Sequence, residues 1–225
     1  QRPAELVRLF YADAHAPPES DVLRLHLKAA AQRRVPYRHV AEPELERICG
    51  SRAHQGLVAV FRVPQARVAG GAELQQFAGR RAVWVALDGV GNPHNLGAIA
   101  RTAAYLGAAG LLVERGAAST LGSSAAYRTA EGALELLPVW TVGDLTGACE
   151  TLRQAGADVA ALDVRNAEPL TRWRRPAARA VVWVAGAEEQ GLRPAVRAAC
   201  SRAVRIEGTG GVESLNVGVA LAVAL

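Results

Sequence analysis

Three glycine-bearing stretches carry residue types that could do chemistry: "DGVGNPHNLGAIAR" (Asp88 to Arg101), "AGAEEQGL" (Ala185 to Leu192) and "EGTGGVESLNVG" (Glu207 to Gly218). The first looks like a nucleotide-binding loop, but a G-x-G-x-x-G fingerprint would need glycine at His94, and no G-K-[ST] follows for a phosphate loop. Pro93 and Asn95 sit where a helix starts, so capping is one explanation for the asparagine. Arg101 lies nearly two turns further on, and both side chains are expected on one side of the helix, where the guanidinium fork can grip a phosphate or carboxylate. Glu188, flanked by Gly186 and Gly191, is either a solvated carboxylate or the partner that positions Arg101. Ser214 is placed to cap the last helix, whereas Asn216, in the apolar start "SLNVGVALAVAL", reads as a buried amide that needs partners.

The elements around these loops alternate. The runs "AVWVALD", "GLLVE", "LPVWTV", "DVAALDV", "AVVWVAG" and "AVRIEG" are too short for helices and do not alternate in polarity, as expected of strands covered on both faces. Helical patterns lie between them at residues 95–106, 145–155 and 194–199. The region 81–225 therefore reads as a mostly parallel α/β domain, whose ligand site belongs beyond the carboxyl ends of its strands, where all three loops fall.

Residues 1–64 read as a separate small α/β sandwich of β-α-β-α-β order. Its first helix is expected to be capped by Ser20 or Asp21 with Val22, Leu25 and Ala29 on the buried face, and its second to end at Gly50. Residues 65–80, with a glycine pair and no sustained periodicity, read as the linker. Basic residues crowd into Arg24 to His39 around Tyr37, which is either a solvated helix face or an RNA-facing surface. The run "TRWRRPAAR" (Thr171 to Arg179) offers the same choice, as a surface loop or as phosphate contacts with base stacking on Trp173.

The 225 residues, 50% hydrophobic and 21% charged, suffice for a sizeable core, and no window approaches a membrane span. The net charge of +5 is a mild bias toward polyanions. Cys49, Cys149 and Cys200 are scattered, without a CxxC or a nearby histidine, which fits reduced thiols in a cytoplasmic protein and neither a disulfide frame nor a metal site. The start "QRPAELVRLF" has no signal-peptide pattern and no initiator methionine, so the chain reads as beginning inside a longer product. Methionine is absent throughout, and composition offers no reason for it.

The motifs "NPHNLGAIAR", "GAEEQG" and "VESLNVGVA", in this order and at these separations, resemble those of the SpoU/TrmH family (SPOUT superfamily) of RNA ribose 2′-O-methyltransferases. The resemblance covers nearly the whole chain: the unit ending "GSRAHQGLVAV" is similar to the family's small substrate-binding domain, and "AAYRTAEGALELLPV" to the segment between the first two motifs. It departs at Glu207 and Gly208, where members commonly carry proline and methionine, and at Ala187, where asparagine is common. Membership implies a SPOUT domain with a carboxyl-terminal trefoil knot, bent S-adenosyl-L-methionine held in the knot, and a homodimer with its site near the subunit interface. It implies catalytic or substrate-placing roles for Asn95, Arg101, Glu188, Ser214 and Asn216, and cofactor contacts from Ala185, Gly186, Ile206, Leu215 and Asn216. The expected activity is methyl transfer to a ribose 2′-hydroxyl of structured RNA, ribosomal before transfer RNA. The alternative, a noncatalytic RNA-binding or ribosome-assembly module, would not need all five polar positions.

Overall fold

Leu6–Tyr11 (β1), rich in branched and aromatic residues, forms the central strand of a small three-stranded sheet. The computed structural model describes residues 6–12, 21–62 and 66–225, and the chain forms two compact units, Gln1–Pro64 and Gln65–Leu225. In the first unit β1 is followed by α1 (Asp21–Gln32), β2 (Tyr37–His39), α2 (Glu42–Cys49) and β3 (Leu57–Phe61), with β2 parallel and β3 antiparallel to β1. Gly50 ends α2 in the left-handed conformation (φ 67°), its N–H bonded to Glu46 O at 2.8 Å.

The buried face of α1 differs from expectation. Leu23 and Ala30 are buried while Leu25 is 66% exposed, so the inward stripe runs through positions seven residues apart, offset from the Leu25 line. Ser20 and the side chains of Asp21 and Val22 lie outside the described residues. Arg24, Lys28, Arg33, Arg34 and Arg38 are all exposed, as is Tyr37.

The second unit begins with β4 (Arg67–Val68) and α3 (Gly71–Ala78). These occupy the stretch expected as a linker: β4 pairs with a sheet strand, and Leu74, Phe77 and Ala78 enter the core. The glycine pair hid a short helix whose apolar residues follow the i, i+3, i+4 rule. There follow β5 (Val83–Asp88), α4 (Pro93–Tyr105), β6 (Gly110–Glu114), the short helices α5 (Ala118–Leu121), α6 (Ser124–Ala130) and α7 (Ala133–Leu136), β7 (Val139–Val142) and α8 (Leu145–Gln154). The chain continues through β8 (Asp158–Leu162), β9 (Glu168–Pro169), β10 (Val181–Gly186), α9 (Pro194–Ala199), β11 (Arg202–Arg205) and α10 (Val217–Ala224).

Every strand pair in the resulting eight-stranded sheet, of order β4-β7-β6-β5-β10-β8-β11-β9, is parallel. Its two faces are covered, which explains the unbroken apolar runs. Along β5 and β10, Val83, Val85, Leu87, Val181, Trp183 and Ala185 turn to the core shared with α4, α6 and α10. Trp84, Ala86, Val182 and Val184 turn to the core shared with α3, α8 and α9. In that second core Cys149, fully buried on α8, meets Cys200, and this contact and then burial push the Cys149 thiol up from its ordinary range.

The run Thr171 to Arg179 is also anchored. The Trp173 ring lies 4.9 Å from that of Trp183 and its Nε1 donates to Asp158 at 3.2 Å, so the indole is committed to the fold and not to a nucleobase. No helix among the described residues is long and apolar enough to cross a membrane.

Candidate active site

Parallel pairing puts the carboxyl ends of β5, β8, β10 and β11 on one edge of the sheet. Asp88 lies opposite Gly186 in the β5–β10 register, so the first two glycine loops leave the sheet side by side. After β5 the chain turns into α4, whose first turn is capped by Asn92: its Oδ1 accepts from His94 N at 2.9 Å, with Pro93 at the first helical position. The capping role therefore belongs to Asn92, which frees Asn95.

Asn95 meets the other two loops. Its Nδ2 donates to Glu188 Oε2 at 2.8 Å, and its Oδ1 accepts from Asn216 Nδ2 at 3.2 Å. Asn216 Nδ2 also donates to Glu188 Oε1. Asn216 is exposed, contrary to the expected burial, and is itself the cap of α10: its Oδ1 accepts from Gly218 N at 3.0 Å and Val219 N at 3.3 Å. Ser214, expected as that cap, lies two residues too early and stays exposed in the loop. Both Asn216 N–H groups are thus occupied, while Asn95 keeps one N–H and Glu188 keeps spare lone pairs.

Arg101 does not join this cluster. It pairs with Glu131 at 2.9 Å, where both side chains are more than half exposed. The physical reason is the helix period: six residues at about 100° each leave Arg101 well off the Asn95 direction. Its fork remains on the solvent side, where an exposed ion pair is weak enough to yield to a stronger anion.

Beside Glu188 opens a cleft of about 690 Å³, walled by the ends of β8, β10 and β11 and the loops after them. Ala185, Gly186, Ile206, Ser214 and Leu215 all line it. Gly186 cannot carry a side chain, because a Cβ would stand 2.2 Å from Gly191 C and 2.4 Å from Leu192 N. The loop closes on itself there, Gly191 N donating to Ala187 O at 2.8 Å with Gly191 at φ 68°, and this turns Glu188 outward.

Sequence reasoning missed an ion network beneath the loop. The Asp88 side chain is 1% exposed; its Oδ2 accepts from Arg193 N at 2.8 Å and its Oδ1 from Arg193 Nε at 2.6 Å. Arg193 Nη2 reaches Glu114 Oε1 at 2.6 Å, and the same oxygen accepts from Leu145 N at 3.0 Å at the start of α8. The bonds to Glu114 and then to Asp88 hold the guanidinium above its already high ordinary range. The legible signal was an acid ending an otherwise apolar strand, "VWVALD", since a buried carboxylate demands a cation.

With this geometry in place, the comparisons with known proteins are specific. Residues 82–225 match the SpoU rRNA Methylase family, and residues 2–66 match the family described as RNA 2′-O ribose methyltransferase substrate binding. The uncharacterized tRNA/rRNA methyltransferase YfiF of Escherichia coli O157:H7 is 34% identical over the full chain, which spans 62% of that longer protein. The 23S rRNA (guanosine-2′-O-)-methyltransferase RlmB of Bordetella pertussis is 36% identical over 83% of the chain and 74% of its own length. The structure of the SpoU methyltransferase AviRb from Streptomyces viridochromogenes in complex with AdoMet superposes with a TM-score of 0.73 at 25% identity, covering 97% of this chain and 80% of that one. Loops, cleft and sequence agree, and the chain belongs to the SpoU rRNA methylase family.

Proposed function

We propose that the protein transfers a methyl group from S-adenosyl-L-methionine to a ribose 2′-hydroxyl of structured ribosomal RNA. The observation that carries this is the meeting of Asn95, Glu188 and Asn216, one from each motif loop, beside the cleft. That cleft suits the cofactor. Its 690 Å³ falls in the ordinary range for small-molecule sites, Ile206, Val212 and Leu215 offer apolar wall, and the glycine at 186 leaves backbone open to close approach. Asp163, Glu188 and Glu189 bring negative charge toward a cationic ligand, and Arg165 and Arg205 can face its carboxylate. When bound, the cofactor supplies a methyl group already activated by its positive sulfur.

The chain's own task is alignment, which well-oriented groups can perform with large effect. Glu188 fixes both amides, and Asn216 is immobilised further by capping α10, so the free N–H of Asn95 and the spare lone pairs of Glu188 present a preset hydrogen-bond pattern to the ribose. Arg101 holds the neighbouring phosphate by exchanging Glu131 for it; a guanidinium is too weak a base to take the hydroxyl proton, which goes to phosphate or water. Ser214, on the cleft wall, contacts the substrate side of the cofactor. The exposed cations of Arg24 to Arg38 add RNA backbone contacts from the small unit.

The same proposal includes a homodimer, a knotted path for the segment from β10 to α10, and a cytoplasmic setting that keeps the free thiols reduced. The dimer is supported by apolar residues left uncovered on packed helices: Tyr105 on α4, and Val219 and Val223 on α10. Light scattering tests it, with Val219→Glu plus Val223→Glu expected to give monomer. The activity is tested by tritiated methyl transfer into ribosomal RNA. Wild type is expected to label RNA at 2′-oxygens and Asn95→Ala to fall to background; equal labelling by both removes the proposed site.

A further inference from the structure

The geometry points to Asp88 and Arg193 as a positioning pair that sets the Glu188 loop from beneath, an inference that rests on the site proposed above. Both ends of that loop are tied to one residue. At its start, Ala187 N donates to the Asp88 carbonyl at 3.0 Å. At its end, the Asp88 carboxylate takes two bonds from Arg193, one from the backbone and one from the guanidinium. Between these anchors stand Glu188, which holds Asn95 and Asn216, and the wall residues Glu189, Gln190 and Gly191 of the cleft. Asp88 also opens the first motif loop, so a single buried carboxylate joins the loop bearing Asn95 to the loop bearing Glu188.

Arg193 lies outside the cleft wall, and its remaining reach goes to Glu114, whose carboxylate also caps the first N–H of α8. Two acids at the ends of neighbouring strands therefore hold it from two directions. A bidentate fork fixes an orientation where a point charge would fix only a distance. An isolated buried carboxylate is costly, so losing the partner displaces the loop or draws water beneath it.

Arg193→Ala, Arg193→Lys and Asp88→Asn, made in the full chain and verified as folded by circular dichroism, separate positioning from support. Methyl transfer to ribosomal RNA gives kcat, calorimetry with S-adenosylhomocysteine reads the cleft, and RNA affinity is measured directly. Displacing the reacting geometry by about 1 Å costs about 100-fold, so kcat is expected to fall by roughly 10- to 100-fold in all three variants, with weaker S-adenosylhomocysteine binding and unchanged RNA affinity. Arg193→Lys decides the issue: lysine restores the charge and the melting temperature but not the fork, and its kcat stays low. Recovery of kcat in step with melting temperature reduces Arg193 to a structural support and overturns the inference. Native kcat in all three variants overturns it too. Glu188→Gln runs alongside: native activity there defeats the underlying site, whereas its inactivation beside active clamp variants defeats the clamp alone.

Discussion

Replacing Gly186 by alanine is the sharpest test of how the site is built. Gly186 does not have a positive φ, so alanine suits the backbone and the effect comes from space alone. The added Cβ would lie 2.2 Å from Gly191 C and 2.3 Å from Gly191 O, and these are backbone atoms that no rotamer change can clear. Reaching ordinary contact at 3.4 Å requires a shift of about 1.2 Å, in the loop that carries Glu188. Overpacking of this kind costs about 1–3 kcal/mol, which leaves the large unit folded. A misplacement of about 1 Å in an aligned site costs about 100-fold in rate. The expected outcome is a modest fall in melting temperature, a loss of cofactor affinity and a kcat about 100-fold lower, read by calorimetry and single-turnover methyl transfer. A Gly186→Ala enzyme with native cofactor affinity and kcat within about twofold of wild type refutes the argument that loop closure sets the Glu188 geometry.

Other substitutions separate roles that one residue combines. Asn216→Asp keeps the oxygen that caps α10 but sets a carboxylate against Glu188; thermal melting should stay close to native, whereas Asn216→Ala loses about 1 kcal/mol of cap, and methyl transfer should vanish in both. Arg101→Ala should flatten the salt dependence of RNA binding by roughly one unit of slope, and Arg101→Lys should restore the slope without the single-turnover rate. The Asp144 carboxyl is held below its ordinary range, first by the Gly147 N–H at the start of α8. Its folded pKa is depressed, so its contribution is present above the unfolded value and lost as pH falls through the folded one. Asp144→Asn should accordingly show a shallower acid limb in melting temperature below about pH 4, where aspartate normally titrates.

How much was legible follows from which signals are local. The six long strands were readable because burial on both faces leaves unbroken apolar runs, and α4, α8 and α9 because their periodicity is self-contained. Strands β4 and β9, each of two residues, carry no pattern of their own and exist only through their partners. Asn95, Glu188 and Asn216 could be singled out by type and motif, but not their mutual bonds, which depend on the register of β5 against β10. The expected Arg101–Glu188 pair fails on helix geometry, and Glu131, the actual partner of Arg101, caps the short helix α6, whose seven residues carry too little periodicity to be legible. Asp88 and Arg193 are 105 residues apart, and nothing local couples them.

The spacing of the three amide and carboxylate groups has a temporal consequence. Asn95 and Glu188 are separated by 93 residues and Asn95 and Asn216 by 121, so the cluster closes only after the sheet has joined across β5 and β10 and α10 has docked on α4. Helix α10 has eight residues, and its local opening would detach Asn216 and uncover Val217 and Leu221 while leaving the strand pairing of the sheet in place. In mild denaturant, catalysis should fail before the fluorescence of Trp84, which lies in the core on the opposite face of the sheet from α10, reports any loss. Activity then serves as a clock for the last event of folding, because a partly assembled chain has its sheet but neither the three-loop cluster nor the part of the cleft lined by Val217 and Ala220.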